Sequence, residues 1–317
     1  MVKGGDYQIG AQRFFYKKRE DVMTIKGFVD LHTHGSGRYD VCTEDPEHIL
    51  KMAELHGSAG TGAILPTIYS GRIDEMRMNM EAVKKAMAIQ KSSAKSGQPT
   101  AQILGVHLEG PFLNPDRCGA LDRSSFSTPD LASLKRLTAG FEDIIKIITI
   151  APEIQGALKV IERCSGLGIR VNMGHSDATY KEAAEGKKAG AAGITHIFNA
   201  MRPFHHREPG IAGLGLIDED LYIEVIADGV HLHPRTLELI FACKRLDRIM
   251  LVSDSVKSRR KKGMPVYDET GTLAGSGITI ADSFGLLRDI GIPDAEIDEA
   301  ASDNPARYLG LHRPLTT

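Results

Sequence analysis

Several features are scarce in this chain of 317 residues, and each absence narrows the field. Neither sign of charge is in excess. The 39 Lys and Arg against 41 Asp and Glu leave a formal net charge of -2, so no global field gathers nucleic acid or an anionic membrane. Any anion bound here is expected to be recognised locally. No apolar run approaches the roughly 20 residues that span a bilayer. The N-terminal stretch, with Lys3, Asp6, Arg13, Lys17, Lys18, Arg19 and Glu20, lacks the apolar segment of a secretory signal, so the expected compartment is cytoplasmic. Cysteine is sparse: Cys42, Cys118, Cys164 and Cys243 lie far apart with no CxxC pair and read as reduced thiols rather than a disulfide framework or thiolate zinc site. No linker, repeat or low-complexity tract divides the chain. With 42% hydrophobic and 25% charged residues it reads as one globular domain, 1–317, in which 1–26 form a short N-terminal extension.

What is present is an alternation. Short β-branched runs at Gly27–His32, Gly62–Thr67, Ile103–Glu109, Ile144–Ile150, Ile169–His175, Gly193–Ile197, Tyr222–Asp228 and Arg248–Asp254 are separated by segments of helical period such as Asp74–Lys95, Tyr180–Ala189 and Pro234–Lys244. Such spacing suits parallel strands joined by helical crossovers, and eight units predict an α/β fold closed as a (β/α)8 TIM barrel. A doubly wound open sheet would usually place a Gly-rich turn after its first strand, where this chain has histidines.

In a barrel of this kind the active site lies at the C-terminal strand ends, so polar residues that close apolar runs are informative. His32 and His34, two apart on one strand, aim the same way. The other runs end in His107-Leu108-Glu109, Gly174-His175, Thr195-His196 and Ser253-Asp254. A lone histidine is usually a satisfied core or surface residue. Imidazoles and carboxylates from five strands, without thiolate, point instead to a catalytic divalent metal, most simply Zn²⁺. Asp254 reads as ligand, base or hydrogen-bond acceptor, with the base favoured by its position. A second signal follows the sixth run: Asn199 and Ala200 offer backbone amides, Arg207 offers a planar fork of donors, and His231 closes the seventh run on the same rim, a set suited to an anion.

Taken together, HLEGPF (His107–Phe112), GHSDATY (Gly174–Tyr180), THIFNAM with HHREPG (within 195–210), IADGVH (Ile226–His231), LVSDS (Leu251–Ser255), GTLAGS (Gly271–Ser276) and NPARYLGL (Asn304–Leu311) resemble the N-acetylglucosamine-6-phosphate deacetylase family of the amidohydrolase superfamily. The resemblance runs from about Phe28 to Leu311. It implies a metal-dependent amidohydrolase barrel that converts N-acetyl-D-glucosamine 6-phosphate to D-glucosamine 6-phosphate and acetate. Glu109, His175 and His196 would be the principal metal ligands, His32 and His34 would hold a second ion where one is present, and Asp254 would be the catalytic base. Asn199, Ala200, Arg207 and His231 would contact the sugar phosphate, with the arginine reaching across a homodimer. Leu273, Ala274, Gly275 and Ser276 would lie near the acetamide. His107 reads either as an oxyanion donor or as packing.

The chain also departs from the family pattern. The accessory β-sandwich, built from N- and C-terminal segments, is expected to be absent. The stretch after Asp254 is short and basic (Lys257 to Gly263) and reads as a solvated loop, and Leu121 stands where the family usually has histidine. These changes leave open the same hydrolysis on N-acetylgalactosamine 6-phosphate or another N-acyl substrate. A non-catalytic sugar-phosphate-binding paralogue is disfavoured because a binder has no chemical need of Asp254. Met76, Met78, Met80 and Met87 read as core packing. Glu153 reads equally as a site-facing acid or as the first-turn acid of the following helix.

Overall fold

The computed structural model describes residues 25–92, 99–258 and 264–311. Eight parallel strands form its barrel: β1 Phe28–Thr33, β2 Thr61–Ile68, β3 Val106–Glu109, β4 Ile145–Ile150, β5 Arg170–Met173, β6 Gly193–Ile194, β7 Tyr222–Ile226 and β8 Ile249–Val252, hydrogen-bonded in that order. Helices lie between successive strands. They start on local signals: Asp45 caps Pro46–Ser58 by accepting from the amide of Glu47, and Thr179 with Glu182 forms a capping box at Tyr180–Lys188. Two apolar layers result. Val29, Leu31, Ala63, Leu65, Ile147, Ile226, Met250 and Val252 form one buried cluster within the barrel, and the remaining apolar strand residues pack outward with the helices.

The strand ends depart from ideal geometry in ways the sequence does not announce. Between Asp30 and Thr33 three steps along β1 oppose two along β2, from Ile64 to Pro66. A bulge of this kind re-aims the side chains that follow, here His32 and His34. The expected run Ile103–Glu109 is split: Gln102–Ile103 makes a short strand beside β2, and β3 begins at Val106. Gly105 sits between them at φ +143°, where an added Cβ would lie 2.2 Å from the Ile144 carbonyl oxygen. The methionine expectation also needs correction. Met76 and Met80 are buried and Met87 packs at the edge of the core, but Met78 projects from the opposite helix face and is 44% exposed.

The ring closes between its first and last strands. Asp254 N donates to His32 O at 2.8 Å, and His34 N and Gly35 N both donate to Ser255 O. Asp30 bridges the seam, its Oδ1 accepting from the amides of His32 and Ser253 at 3.2 Å each. Burial pushes its carboxyl up to about 7, outweighing those hydrogen bonds. A raised folded-state pKa favours the neutral acid, so its contribution to stability is present in acid and is lost as pH rises from about 4 through 7. Asp30→Asn retains an oxygen for both amides and removes the charge. We expect urea midpoints across pH 4–8 to fall less steeply with pH in this variant than in wild type, by up to about 4 kcal/mol over the window. Equal slopes would show that Asp30 does not titrate there.

Candidate active site

Five strand ends deliver the polar residues to one point. Glu109 is the hub: its Oε1 lies 3.0 Å from His175 Nε2, 3.0 Å from His196 Nε2 and 3.6 Å from His32 Nε2. Its Oε2 lies 3.3 Å from His34 Nε2. Asp254 Oδ1 approaches His32 Nε2 at 3.5 Å and His34 Nε2 at 3.3 Å. Among the described residues three triads have ligand atoms within 4.8 Å of one another: Glu109 with His175 and His196, His32 with His34 and Asp254, and His32 with His107 and Glu224, of which the first two contribute residues to the cavity base. All of these residues are buried. His175, His196 and Asp254 hold left-handed backbone at φ 45°, 26° and 47°, a conformation that non-glycine residues adopt at a cost and that turns these side chains into the mouth.

The donor set fits a divalent cation for a reason visible in the outer hydrogen bonds. His175 Nδ1 donates to Arg117 O at 2.9 Å, His34 Nδ1 to Thr67 O at 2.7 Å, and His32 Nδ1 to Glu224 Oε2 at 2.9 Å. With each Nδ1 carrying the hydrogen, a neutral ring turns the lone pair of Nε2 towards the carboxylates and towards the other rings. His32 Nε2 and His34 Nε2 face each other at 3.1 Å. So many acceptors converge favourably only around cations, either metal ions or protons. Protons can serve: against the lowering effect of burial, Asp254 and Glu109 hold His34 up at about 10, and Glu109 holds His196 at about 9. His32, the most enclosed ring, is pushed down to about 3 by burial. Burial would raise Asp254, yet the facing His32 and His34 hold it down at about 2, ionised at neutral pH.

A cavity of about 240 Å³ opens above this cluster. Asn199, Ala200, His231, Leu273, Ala274 and Gly275 line its walls with Leu121, while Glu109, His34, His175, His196 and Asp254 form its base. His231 is oriented by Asp228, whose Oδ2 lies 2.7 Å from Nδ1. Two expected contacts stand elsewhere. Ser276 lies behind the wall, donating its amide to Asp254 O, and Arg207 is on the surface against His206. No lysine or arginine lines the cavity among the described residues. Residues 259–263 of the basic stretch, like 1–24 of the N-terminal extension, lie outside the described residues.

His107 is fully buried and both ring nitrogens are engaged, Nδ1 with Leu31 O at 3.0 Å and Nε2 with Thr149 Oγ1 at 2.8 Å. Burial lowers its pKa to about 4, so it is a neutral packing group rather than an oxyanion donor. Glu153 takes neither expected role. The next helix begins at Ala157, and its carboxylate instead accepts from Asn114 Nδ2, Ser176 Oγ and Asp177 N, tying two rim loops together.

Three participants escaped the sequence reading. Tyr69 lines the cavity and stacks on His34, ring centroids 3.8 Å apart and nearly parallel at 6°. Asp177 joins Arg117 and Arg202 at the rim beside His175. Glu224, fully buried in β7, holds His32 Nδ1; burial pushes its carboxyl up to about 7 against the pull of His107 and His196. The signal for Glu224 was present, a lone acid inside the apolar run Tyr222–Ile226.

The amidohydrolase family model matches residues 24–314. An N-acetylgalactosamine-6-phosphate deacetylase of Escherichia coli O157:H7 is 31% identical over 93% of this chain and 80% of its own length. An N-acetylglucosamine-6-phosphate deacetylase of Bacillus subtilis is 30% identical over 92% and 76% respectively. The solved Mycobacterium smegmatis N-acetyl-D-glucosamine-6-phosphate deacetylase, a variant in complex with N-acetyl-D-glucosamine-6-phosphate, superposes with a TM-score of 0.79 at 30% identity, covering 90% of this chain and 78% of that one.

Ligand histidines must be neutral, so an ion entering this site displaces the protons that His34 and His196 hold at neutral pH. Titration of the metal-free protein with Zn²⁺ at pH 7.5, in buffers of different ionisation enthalpy, should therefore report release of about two protons per chain. Heat that is independent of the buffer would contradict this account of the cluster.

Proposed function

The chain belongs to the amidohydrolase family, among its N-acetylglucosamine-6-phosphate deacetylases, and we propose from this that it hydrolyses the acetamide of N-acetyl-D-glucosamine 6-phosphate to acetate and D-glucosamine 6-phosphate. The observation that carries the reading is the convergence of Glu109, His175, His196, His32 and His34 with an ionised Asp254 at the base of one cavity. Glu109, His175 and His196 would hold one ion, and His32, His34 and Asp254 form the place for a second. Zinc suits nitrogen and oxygen donors of this kind. When bound, a divalent ion supplies Lewis acidity, which lowers the pKa of water and polarises the amide carbonyl.

The protein's own groups do the rest. Asp254, held ionised at the cavity base, accepts the proton of the attacking water and delivers it to the departing amine, acting first as base and then as acid. Tyr69 on the face of His34 fixes that ring and closes one wall against solvent. His231 and the Ala200 amide supply neutral donors for the sugar phosphate, whereas the Asn199 amide is spent on His196 O at 3.0 Å and leaves that residue as cavity wall. Arg207, exposed on its loop, suits delivery of the missing positive charge by a second copy, so we assign a homodimer as the active form. A phosphorylated sugar is retained by the cell membrane, which agrees with action in the cytoplasm; no helix among the described residues is long and apolar enough to cross a membrane.

The second reading is the same chemistry on N-acetylgalactosamine 6-phosphate, favoured by the Escherichia coli relative of that name and by apolar Leu121 in the cavity wall. Acetate release by the purified protein should fall on chelation and return with Zn²⁺, and should be faster from the phosphorylated than from the unphosphorylated sugar. Comparing kcat/KM for the two epimers decides between the readings. Asp254→Asn should lose roughly 10²- to 10⁴-fold in kcat while the place formed by Glu109, His175 and His196 still takes its ion. Unchanged turnover in that variant would remove Asp254 from the role of general base.

A further inference from the structure

We propose that Glu224 is a positioning residue that holds the two halves of the metal centre together, by fixing the tautomer of His32 and the backbone of His196. The inference rests on the reading of those histidines as ion ligands. Glu224 stands inside the barrel on β7, fully buried and away from the cavity, with one carboxylate oxygen turned to the cluster and the other to Asn172. Oε2 accepts from His32 Nδ1 at 2.9 Å and from the His196 amide at 3.4 Å, while Oε1 accepts from Asn172 Nδ2 at 2.7 Å. The Glu224 carbonyl oxygen also accepts from the Ile197 amide at 2.9 Å. One residue therefore grips a side chain of one triad and the left-handed backbone that presents the other.

The direction of these bonds is set from the floor of the barrel. Tyr308, buried in the C-terminal helix Asn304–Tyr308, donates its hydroxyl to Asn172 Oδ1. Asn172 must then turn its amide nitrogen to Glu224, and above the pKa of Glu224 its carboxylate only accepts and requires the hydrogen of His32 on Nδ1. Nε2 is left with its lone pair towards His34, Glu109 and Asp254. Outer partners of metal-binding histidines act in this way on ring orientation and basicity.

Glu224→Gln reverses one step. With Asn172 held by Tyr308, the glutamine oxygen must meet Asn172, and its NH₂ meets His32 Nδ1. The hydrogen of His32 then moves to Nε2 and its lone pair leaves the cluster. Adding Tyr308→Phe frees Asn172 to turn over, so that the glutamine oxygen again faces His32.

The test uses the full chain, with ¹⁵N-histidine NMR of the metal-free protein and Zn²⁺ affinity measured by chelator competition. We expect Nδ1–H at His32 in wild type and Nε2–H in Glu224→Gln. The weaker zinc site should lose roughly 10- to 100-fold in affinity in the single variant and recover substantially in Glu224→Gln/Tyr308→Phe. Wild-type protein carrying Nε2–H at His32, a single variant matching wild type in tautomer and affinity, or a loss that Tyr308→Phe leaves unchanged would each overturn the proposal. The wild-type spectrum decides even where a variant does not fold. Wild-type protein that binds no Zn²⁺ would end the metal reading, while the tautomers would still report on Glu224.

Discussion

A carboxylate enclosed by four imidazoles is the constraint from which the upper half of this barrel follows. Glu109 is almost wholly removed from water, and a buried charge is tolerated only if it is compensated. His32, His34, His175 and His196 converge on it from three other strands. The far nitrogens of three rings show how they are kept in place: backbone carbonyls take Nδ1 of His34 and His175, and a second buried carboxylate takes that of His32, while Nδ1 of His196 has no partner among the described residues. The bulge in β1 and the left-handed turns at His175, His196 and Asp254 are the local distortions that permit this approach. The strain is stored where cation binding can offset it.

The barrel was legible because its strands alternate with helices and their apolar runs end in chemistry-bearing residues. Position along a strand told which side chains share a face, as with His32 and His34, and the strand ends named the mouth. What periodicity cannot show is where a strand breaks for steric reasons. Gly105 divides the third run because the Ile144 carbonyl leaves no room for a Cβ, a fact about the residue that leads into β4 rather than about local pattern. Met78 illustrates the opposite limit: residue type suggested core, while the helical period placed it among the exposed positions.

The site was legible in its cluster and less so in its surroundings. Histidine and acid at the ends of apolar runs stand out, whereas Tyr69 resembles ordinary core and Glu224 interrupts a strand whose other residues are apolar. His107 and Glu153 show why residue type alone misleads. Each is polar and close to the mouth, but the nitrogens of the first and the oxygens of the second are consumed by neighbours. Only three-dimensional hydrogen-bond partners separate a group available to substrate from one that is already satisfied.

The seam between β8 and β1 gives the site a history during synthesis on the ribosome. Glu109 ends β3, and His175 and His196 lie two residues past the ends of β5 and β6, so that triad depends on segments made well before the last strand. The cluster of His32, His34 and Asp254 joins the first strand to the last, with the Asp254 amide itself closing the ring on His32. A nascent chain therefore lacks the proposed second ion site and the proposed base until its final strand emerges and docks. On that assignment hydrolytic competence is a signature of a finished barrel, and truncated translation products that stop short of β8 would be born inert.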